Sequence, residues 1–248
     1  MIILLTNDDG IFAPALVRLR EDLTPLGRVV VVAPDRDQSA TSHSLTLHRP
    51  CRIHRHGEDQ FSVDGTPTDC VVAAFYGLLD QPPNLVISGI NHGPNMGEDV
   101  FYSGTVAAAI EGAIQGAVAI AASLATRESA DFGEPSRFIA RLARTVVERG
   151  LPARQILNVN LPHRAWAEVG GVRITRLGSR VYRDTLVRKV DPRGRDYYWI
   201  GGEEPVWEGG AGTDIHAVNA GCVSVTPMRL DLTDDDALAG LARWELAP

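Results

Sequence analysis

The stretch that decides the fold is residues 2–10, which read IILLTNDDG. Four consecutive apolar residues indicate a buried parallel strand, and the carboxylates of Asp8 and Asp9 follow directly where that strand ends. In open α/β sheets, ligands bind outside the carboxyl ends of the strands. Two carboxylates at that edge are costly unless they bind a cation or share a proton, which favours metal chemistry. The same letters also suit a plain turn, so this stretch alone leaves both interpretations open.

Composition limits the class of protein. The 248 residues suffice for one large α/β domain or for a domain with an appended arm. No apolar run reaches the roughly 20 residues that span a bilayer, so no membrane partner is expected. The longest candidate, residues 106–125, is rich in alanine and contains Glu111 and Gln115; it predicts a buried helix. The net charge of −7 argues against binding to a nucleic-acid duplex.

The cysteines and the first residues favour a cytoplasmic protein. Cys51, Cys70 and Cys222 are widely spaced and form no CxxC pair, which is typical of free thiols in a reducing compartment. No basic region precedes the short apolar run at the start, so a signal peptide is not expected. Lys189 is the only lysine and lies outside any GK[ST] frame, which excludes a P-loop. The GxGxxG and GxSxG patterns are also missing.

Strands and helices alternate along the first half of the chain. This order predicts an α/β fold with a Rossmann-like, doubly wound, mostly parallel sheet. Predicted strands cover residues 29–33, 61–64, 84–89, 156–160 and 222–226, and predicted helices cover residues 13–26, 68–79, 105–124 and 137–149. Thr68 is expected to cap the second helix, and Thr233 a last helix near the end of the chain. Residues 126–136 are polar and predict a surface loop.

From about residue 178 the character of the chain changes. Residues 180–207 are dense in charged, aromatic and β-branched residues, and the DPRG sequence at 191–194 predicts a turn, so we expect a C-terminal β-hairpin arm. An isolated hairpin would expose Tyr197, Tyr198, Trp199 and Trp207, which favours a contact with another subunit over folding back on its own domain. The predicted division is an α/β core at 1–178, an oligomerisation arm at 179–215, and a C-terminal strand and helix at 216–248.

Three predicted strand ends carry polar side chains that suit phosphate chemistry. The first bears Asp8 and Asp9, the second leads into a hydroxyl-rich loop at 35–44, and the third leads to residues 88–97. Carboxylate, hydroxyl and amide oxygens are hard donors that suit Mg²⁺ or Mn²⁺ better than Zn²⁺. The YSGT sequence at 102–105 opens an alanine-rich helix, whose free N–H groups form a natural phosphate site. A cation beside a helix N-terminus in an acidic protein predicts a phosphoryl substrate.

Several of these segments, in the same order, closely resemble the SurE (survival protein E) family of 5′/3′-nucleotidases. The segments are LTNDDG at 5–10, APDR at 33–36, SLTL at 44–47, GTPTDCV at 65–71, SGINHGPN at 88–95 and YSGTVAAA at 102–109. DPRG at 191–194 and GTD at 212–214 resemble the hairpin region of that family. The resemblance runs from the first residues to about Thr233.

The resemblance implies a set of properties for this chain. The metal ligands of the family fall on Asp8, Asp9, Ser39 and Asn91. The family implies a Rossmann-like domain, a swapped C-terminal arm, dimers or tetramers, and one divalent metal ion per subunit. It further implies hydrolysis of nucleoside 5′- and 3′-monophosphates, and some members act on short polyphosphate. The family motif does not fix the residue at His92, so the resemblance gives that side chain no catalytic role.

The residues leave the chemical step open. Asp8 and Asp9 are the predicted catalytic residues: one of them orients or deprotonates the attacking water, or attacks phosphorus directly to form an aspartyl-phosphate. Around the phosphate we place Asn95, Ser103, Gly104 and Thr105. His43 and His92 are the histidines of these loops, and either could protonate the leaving alkoxide, although a solvated or structural histidine is the commoner case.

Two other functions compete with a nucleotidase. A haloacid-dehalogenase-like phosphatase also places its acids after a first strand, but those acids are two residues apart, whereas Asp8 and Asp9 are adjacent. A non-catalytic nucleotide or phosphate sensor would need only the helix start at Ser103. Metal-dependent turnover distinguishes the enzyme from the sensor.

Overall fold

The computed structural model describes residues 1–181, 186–200 and 206–244. Its strands are β1 (Ile2–Thr6), β2 (Arg28–Pro34), β3 (Ile53–Gly57), β4 (Gln60–Val63), β5 (Leu85–His92), β6 (Val118–Ala125), β7 (Gln155–Pro162), β8 (Val172–Ile174), β9 (Ser179–Val181), β10 (Leu186–Val190), β11 (Asp196–Ile200), β12 (Val206–Glu208) and β13 (Val223–Arg229). Its α-helices are α1 (Pro14–Leu23), α2 (Pro67–Ala73), α3 (Gly104–Ile114), α4 (Gly133–Arg149), α5 (Asp214–Asn219) and α6 (Asp235–Leu241). Shorter helical turns cover Thr24–Leu26, Ala74–Leu78, Gly97–Phe101 and Trp166–Glu168.

Nine of the strands form one twisted sheet in the order β3-β4-β2-β1-β5-β6-β7-β13-β8. The six strands from β4 to β7 in this order pair in parallel, and β3 and β13 run antiparallel to their neighbours β4 and β7. The chain winds outward from β1 through β2 and β4 on one side, and from β5 through β7 on the other. The topological switch point therefore lies between β1 and β5, and the predicted doubly wound, mostly parallel sheet is confirmed.

Side chains of β1 alternate between two apolar layers because successive residues of a strand point to opposite faces. Ile3 and Leu5 pack in the layer under α1 and α4, whereas Leu4 packs in the layer under α2 and α3. All three side chains are fully buried. Helices on both faces of a parallel sheet explain why its central strands are apolar throughout rather than alternating.

The prediction of one long helix over residues 105–124 is wrong, as is a single helix for the apolar run 106–125. Helix α3 ends at Ile114, Gly116 takes a positive φ of 93°, and the chain then enters β6. Strand β6 lies between β5 and β7 at the centre of the sheet, where an apolar run is buried on both faces. An alanine-rich run buried on all sides has no periodicity that separates a helix from such a strand.

Two predicted helix caps are also wrong by one or two residues. Thr66 caps α2, because its hydroxyl accepts the N–H of Asp69 while the Asp69 carboxylate accepts the N–H of Thr66. Thr68 is buried inside that helix. Asp234 caps α6 instead of Thr233, and α4 begins at Gly133, inside the predicted loop.

The predicted hairpin arm is present. Strands β10 and β11 pair antiparallel, and the backbone N–H of Asp191 donates to the carbonyl of Arg195 across the predicted turn. Every residue of both strands is exposed. Strands β9 and β12 form a second antiparallel pair at the base of the arm; the side chain of Trp207 lies outside the described residues. The division of the chain at 178 and 215 stays a prediction.

Candidate functional site

The carboxyl ends of β1 and β5 meet at the switch point. The two strands are neighbours in parallel register, with Thr6 beside Ser88, so the residues that follow them come to the same edge of the sheet. A cavity opens there, and five of the predicted site residues line it: Asp8, Ser39, Asn91, Asn95 and Ser103. Its other lining residues are Ala40, His92, Gly93, Pro94, Asp99, Tyr102, Arg127 and Ile200.

The side chain of Asp8 is held on both of its oxygens by one residue. Oδ1 accepts the hydroxyl of Thr105 at 2.5 Å, and Oδ2 accepts the backbone N–H of Thr105 at 3.2 Å. Asp8 is only 4% exposed, and burial raises its pKa to about 6, against the lowering effect of the Thr105 hydrogen bonds; the neighbouring Asp9 raises the pKa further. Helix α3 therefore fixes this carboxylate from its first turn.

The carboxylate of Asp9 is held much more loosely. Its Oδ2 accepts the backbone N–H of His92 at 3.4 Å, and its Oδ1 has no hydrogen-bond partner among the described residues. Partial burial raises the pKa of Asp9, and the Asp37 carboxylate raises it too. Asp9 does not line the cavity itself. It accepts a hydrogen bond from His92, and His92 lines the cavity. The two adjacent carboxylates thus differ in how firmly they are fixed.

Ser39 and Asn91 each keep an oxygen available. The N–H of Ser39 donates to Asp37 Oδ1 at 2.7 Å, while the Ser39 hydroxyl has no partner within the described chain. Asn91 donates through Nδ2 to the carbonyl of Gly93 at 2.9 Å. Because a carbonyl can only accept, this bond fixes the orientation of the amide and leaves Asn91 Oδ1 available.

Asn95 is fixed by three residues that sequence reasoning missed. Its N–H donates to Asn160 Oδ1 at 2.9 Å, and its carbonyl accepts the side-chain amides of Asn158 and Asn160. Its own Nδ2 donates to Ser123 Oγ at 2.8 Å. The signal was present in the sequence, since two asparagines two residues apart in an apolar strand share one face and need polar partners when buried.

The start of α3 supplies hydrogen-bond donors beside Asp8. The Ser103 hydroxyl caps the helix by accepting the N–H of Val106, which leaves its own O–H free to donate. The Gly104 N–H has no partner among the described residues, and a Cβ on Gly104 would lie 3.1 Å from Asp8 Cβ. The N–H and the O–H of Thr105 both donate to the Asp8 carboxylate, so Thr105 holds Asp8 and has no donor left for a phosphate.

The two histidines of these loops already have partners. His92 Nε2 lies 2.5 Å from the carbonyl of Glu128, and its ring packs edge-on against Phe132. His43 Nε2 lies 2.9 Å from Glu111 Oε2, and His43 is not among the residues that line the cavity. Tyr102, Arg127 and Ile200 do line it, and sequence reasoning missed all three.

The donor set of this site fits a hard divalent cation. Among residues 1–181, 186–200 and 206–244, no three His, Cys, Asp or Glu side chains gather into a metal-binding cluster. The oxygens of Asp8, Asp9, Ser39 and Asn91 are carboxylate, hydroxyl and amide donors of the kind that Mg²⁺ and Mn²⁺ accept. The carboxylates are adjacent, and neither forms an ion pair with a lysine or arginine side chain among the described residues, so a bound cation would stabilise both.

Comparison with known proteins gives a consistent result. The family model described as Survival protein SurE matches residues 3–184. The chain is 51% identical over 248 residues to a 5′-nucleotidase SurE from Geobacter sulfurreducens, covering 100% of this chain and 95% of that protein. It is 51% identical over 247 residues to a 5′-nucleotidase SurE from Geotalea daltonii, covering 99% and 100%. The crystal structure of a SurE protein from Aquifex aeolicus matches with a TM-score of 0.88 at 44% identity, covering 97% of this chain and 98% of that one.

Proposed function

The chain belongs to the SurE family, and we propose that it is a divalent-metal-dependent phosphomonoesterase that hydrolyses nucleoside monophosphates to nucleoside and phosphate. One observation carries the proposal. Asp8, which is next to Asp9, accepts two hydrogen bonds from Thr105 in the first turn of α3, and at the start of the same helix the Gly104 N–H and the Ser103 O–H remain free to donate. This arrangement places negative charge for a cation next to donors for a phosphate.

We assign one Mg²⁺ or Mn²⁺ ion per subunit to the oxygens of Asp8, Asp9, Ser39 and Asn91. When bound, such an ion polarises a phosphoryl oxygen and lowers the pKa of a bound water. Asp8 serves this site as a fixed ligand, since Thr105 occupies a lone pair on each of its oxygens. The free amide oxygen of Asn91 and the free hydroxyl of Ser39 complete the set.

Asp9 is the better candidate for the chemical step. Its Oδ1 is free, so it can orient or deprotonate the attacking water or attack phosphorus itself, whereas Asp8 is held in place. The two routes differ in one observable. An acid quench during a single turnover with ³²P-labelled substrate leaves label on the protein only if Asp9 forms an aspartyl-phosphate.

The substrate phosphate is assigned to Ser103, Gly104 and Asn95, with Thr105 acting beside them through its bonds to Asp8. The exposed ring of Tyr102 and the guanidinium of Arg127 line the same cavity and suit the nucleoside part, because aromatic and guanidinium faces stack on bases. Nucleoside 3′-monophosphates and short polyphosphate are included as substrates on the family resemblance.

The assembly and location are proposed on separate grounds. The exposed hairpin of β10 and β11 would join subunits into a dimer or a tetramer. Cys51, Cys70 and Cys222 are all free thiols, which supports a reducing, cytoplasmic compartment. Among the described residues, no helix has the length and apolar character needed to cross a membrane.

The decisive experiment measures phosphate release from a panel of nucleoside 5′- and 3′-monophosphates, with Mg²⁺, Mn²⁺ or EDTA, beside the Asp9→Asn variant. We expect release that requires metal and falls by at least about a thousandfold in Asp9→Asn, while thermal unfolding is unchanged, because Asp9 is not part of the core. Asp59→Asn, at an ion pair with the exposed Arg28, is the matched control. Nucleotide binding without release would favour the sensor, and Asp9→Asn with wild-type activity would overturn the metal assignment.

A further inference from the structure

A buried acid in the middle of α3 is not used by the proposed reaction. Glu111 is 7% exposed and does not line the cavity. Its Oε2 lies 2.9 Å from His43 Nε2, and its Oε1 accepts the side-chain amide of Gln115 at 2.8 Å. A carboxylate buried to this degree is costly without partners, so His43 is the group that makes its burial tolerable.

His43 belongs to the segment that carries Ser39, here called the Ser39 loop (residues 37–44). The loop contains no helix or strand, and two of its residues, Ala40 and Ser42, take positive φ values of 57° and 54°. Such a conformation is unfavourable for a non-glycine residue and persists only where surrounding contacts hold it. The position of the Ser39 hydroxyl therefore depends on what ties the loop down.

Hydrogen bonds connect the Ser39 loop to Asp8 at one end and to the start of α3 at the other. At one end, the N–H of Gln38 donates to the backbone carbonyl of Asp8 at 2.8 Å. At the other end, Ser42 donates its N–H to the carbonyl of Tyr102 and its hydroxyl to the carbonyl of Phe101, just before α3 begins. His43 then reaches Glu111, two turns further along α3.

These contacts make α3 the common support of two proposed metal ligands. Its first turn fixes Asp8 through Thr105, and its second turn fixes the Ser39 loop through Glu111. We propose that His43 and Glu111 are a positioning pair that holds the Ser39 hydroxyl at the distance from Asp8 that the metal requires. The inference rests on the proposed function, because it presumes that Ser39 and Asp8 bind the metal.

The test measures Mn²⁺ binding by titration calorimetry on the metal-free full-length protein, so that it does not depend on activity. We expect His43→Ala to weaken Mn²⁺ binding roughly tenfold, the scale of one lost hydrogen bond to a charged group. His43→Gln should recover most of the affinity, because its amide nitrogen can reach Glu111. In the phosphate-release assay, His43→Ala should raise the Mn²⁺ concentration needed for half-maximal rate, and excess Mn²⁺ should restore most of the rate.

His56→Ala is the matched control for a purely structural effect. His56 Nε2 also makes one hydrogen bond, at 2.8 Å to Ser62 Oγ, in edge strand β3, and its ring packs edge-on against Phe12; none of these three residues lines the cavity. Its removal should leave Mn²⁺ affinity at the wild-type value even if the melting temperature falls as much as in His43→Ala. Equal Mn²⁺ affinity of wild type, His43→Ala and His43→Gln would overturn the positioning role.

Ser39→Ala separates failure of this inference from failure of the proposed function. If Ser39→Ala and Asp9→Asn weaken Mn²⁺ binding and His43→Ala does not, the metal site stands and the positioning pair is refuted. If none of the three changes Mn²⁺ binding, the metal assignment itself fails. If His43→Ala does not fold, His43→Phe replaces it in this comparison, because it keeps an aromatic ring of similar size and removes the hydrogen bond to Glu111, while His43→Gln stays the variant that restores that bond.

Discussion

The switch-point edge of the sheet and the hairpin of β10 and β11 both carry charged side chains and aromatics, yet they are stabilised in different ways. At the edge, the hydrogen bonds are buried and join residues far apart in sequence, as from Thr105 to Asp8 and from Asn160 to Asn95. In the hairpin, they are exposed and local, as between Arg188 and Asp196. The edge is therefore fixed by the fold around it, whereas the hydrogen bonds described for the hairpin lie within the hairpin itself.

Large apolar side chains of the hairpin are exposed to solvent. Trp199 is 61% exposed and Ile200 is 89% exposed, and they pair across the hairpin with Val187 and Leu186. A lone two-stranded hairpin is marginally stable in water, and exposed apolar side chains on both of its faces favour the proposed contact with another subunit. The site is thus held by buried contacts between residues that are distant in sequence, whereas the exposed hairpin supports the proposal that it joins subunits.

Deleting residues 180–207 tests whether the hairpin joins subunits, and it has the largest expected effect. Ser179 pairs with Glu208 across β9 and β12, so a short Asn-Gly turn can rejoin the cut ends. We expect the mass in solution, measured by light scattering, to fall from that of a dimer or tetramer to that of a monomer. The core should keep its cooperative unfolding, because its apolar layers lie outside the deleted segment. An unchanged mass would refute the assembly role of the hairpin.

Thr105→Val tests whether buried hydrogen bonds between distant residues fix the switch-point edge. Valine keeps the shape and the backbone N–H but removes the hydroxyl that donates to Asp8. Loss of a buried hydrogen bond to a carboxylate should lower the free energy of unfolding by about 2 kcal/mol. Displacement of Asp8 should lower kcat/KM roughly a hundredfold. Urea unfolding and phosphate release measure the two effects.

Two further variants make that result specific. Thr105→Ser keeps the hydroxyl and should recover most of the lost activity. Arg188→Ala breaks the exposed pair with Asp196 in the hairpin and should change stability by less than about 0.5 kcal/mol, since surface ion pairs contribute little. Equal stability losses from Thr105→Val and Arg188→Ala would remove the distinction between edge and hairpin.

The sequence predicts those parts of the fold and the site that depend on local features of the chain. The apolar run before Asp8 and the alternation of strands and helices suffice for the doubly wound sheet and for the convergence of the loops at 35–44 and 88–97 with Asp8 on one edge. The choice of Ser39 and Asn91 within those loops came from the resemblance to the SurE family. The hairpin was predictable because its turn and its exposed strands are local features. These features need no knowledge of distant partners.

The errors and omissions have the opposite cause. Strand β6 reads as a continuation of α3 because only its position between β5 and β7 makes it a strand. The partners of Asn95, namely Ser123, Asn158 and Asn160, lie 28 to 65 residues away in the sequence. The bond between His43 and Glu111 spans 68 residues. Contacts at such separation are set by the packing of the sheet, which one sequence does not specify locally.

The smallest expected effect concerns pH. The hydrogen bond from His43 lowers the pKa of Glu111 below its ordinary value of 4.5, in opposition to burial. A carboxylate whose pKa is lowered by folding stabilises the folded state above the unfolded pKa and loses that contribution as pH falls through the folded pKa. The stability gap between wild type and Glu111→Gln should therefore be fully present at about pH 6 and shrink steadily below pH 4.5.

Urea unfolding of both proteins between about pH 6 and pH 3 measures this gap. Glu134→Gln is the control, since it makes the same substitution at an exposed pair with Arg137 on α4. Its gap should be smaller at every pH, because an exposed pair is screened by solvent. A Glu111→Gln gap that stays constant with pH would show that Glu111 contributes through packing alone. In that case the edge would differ from the hairpin in burial but not in electrostatics.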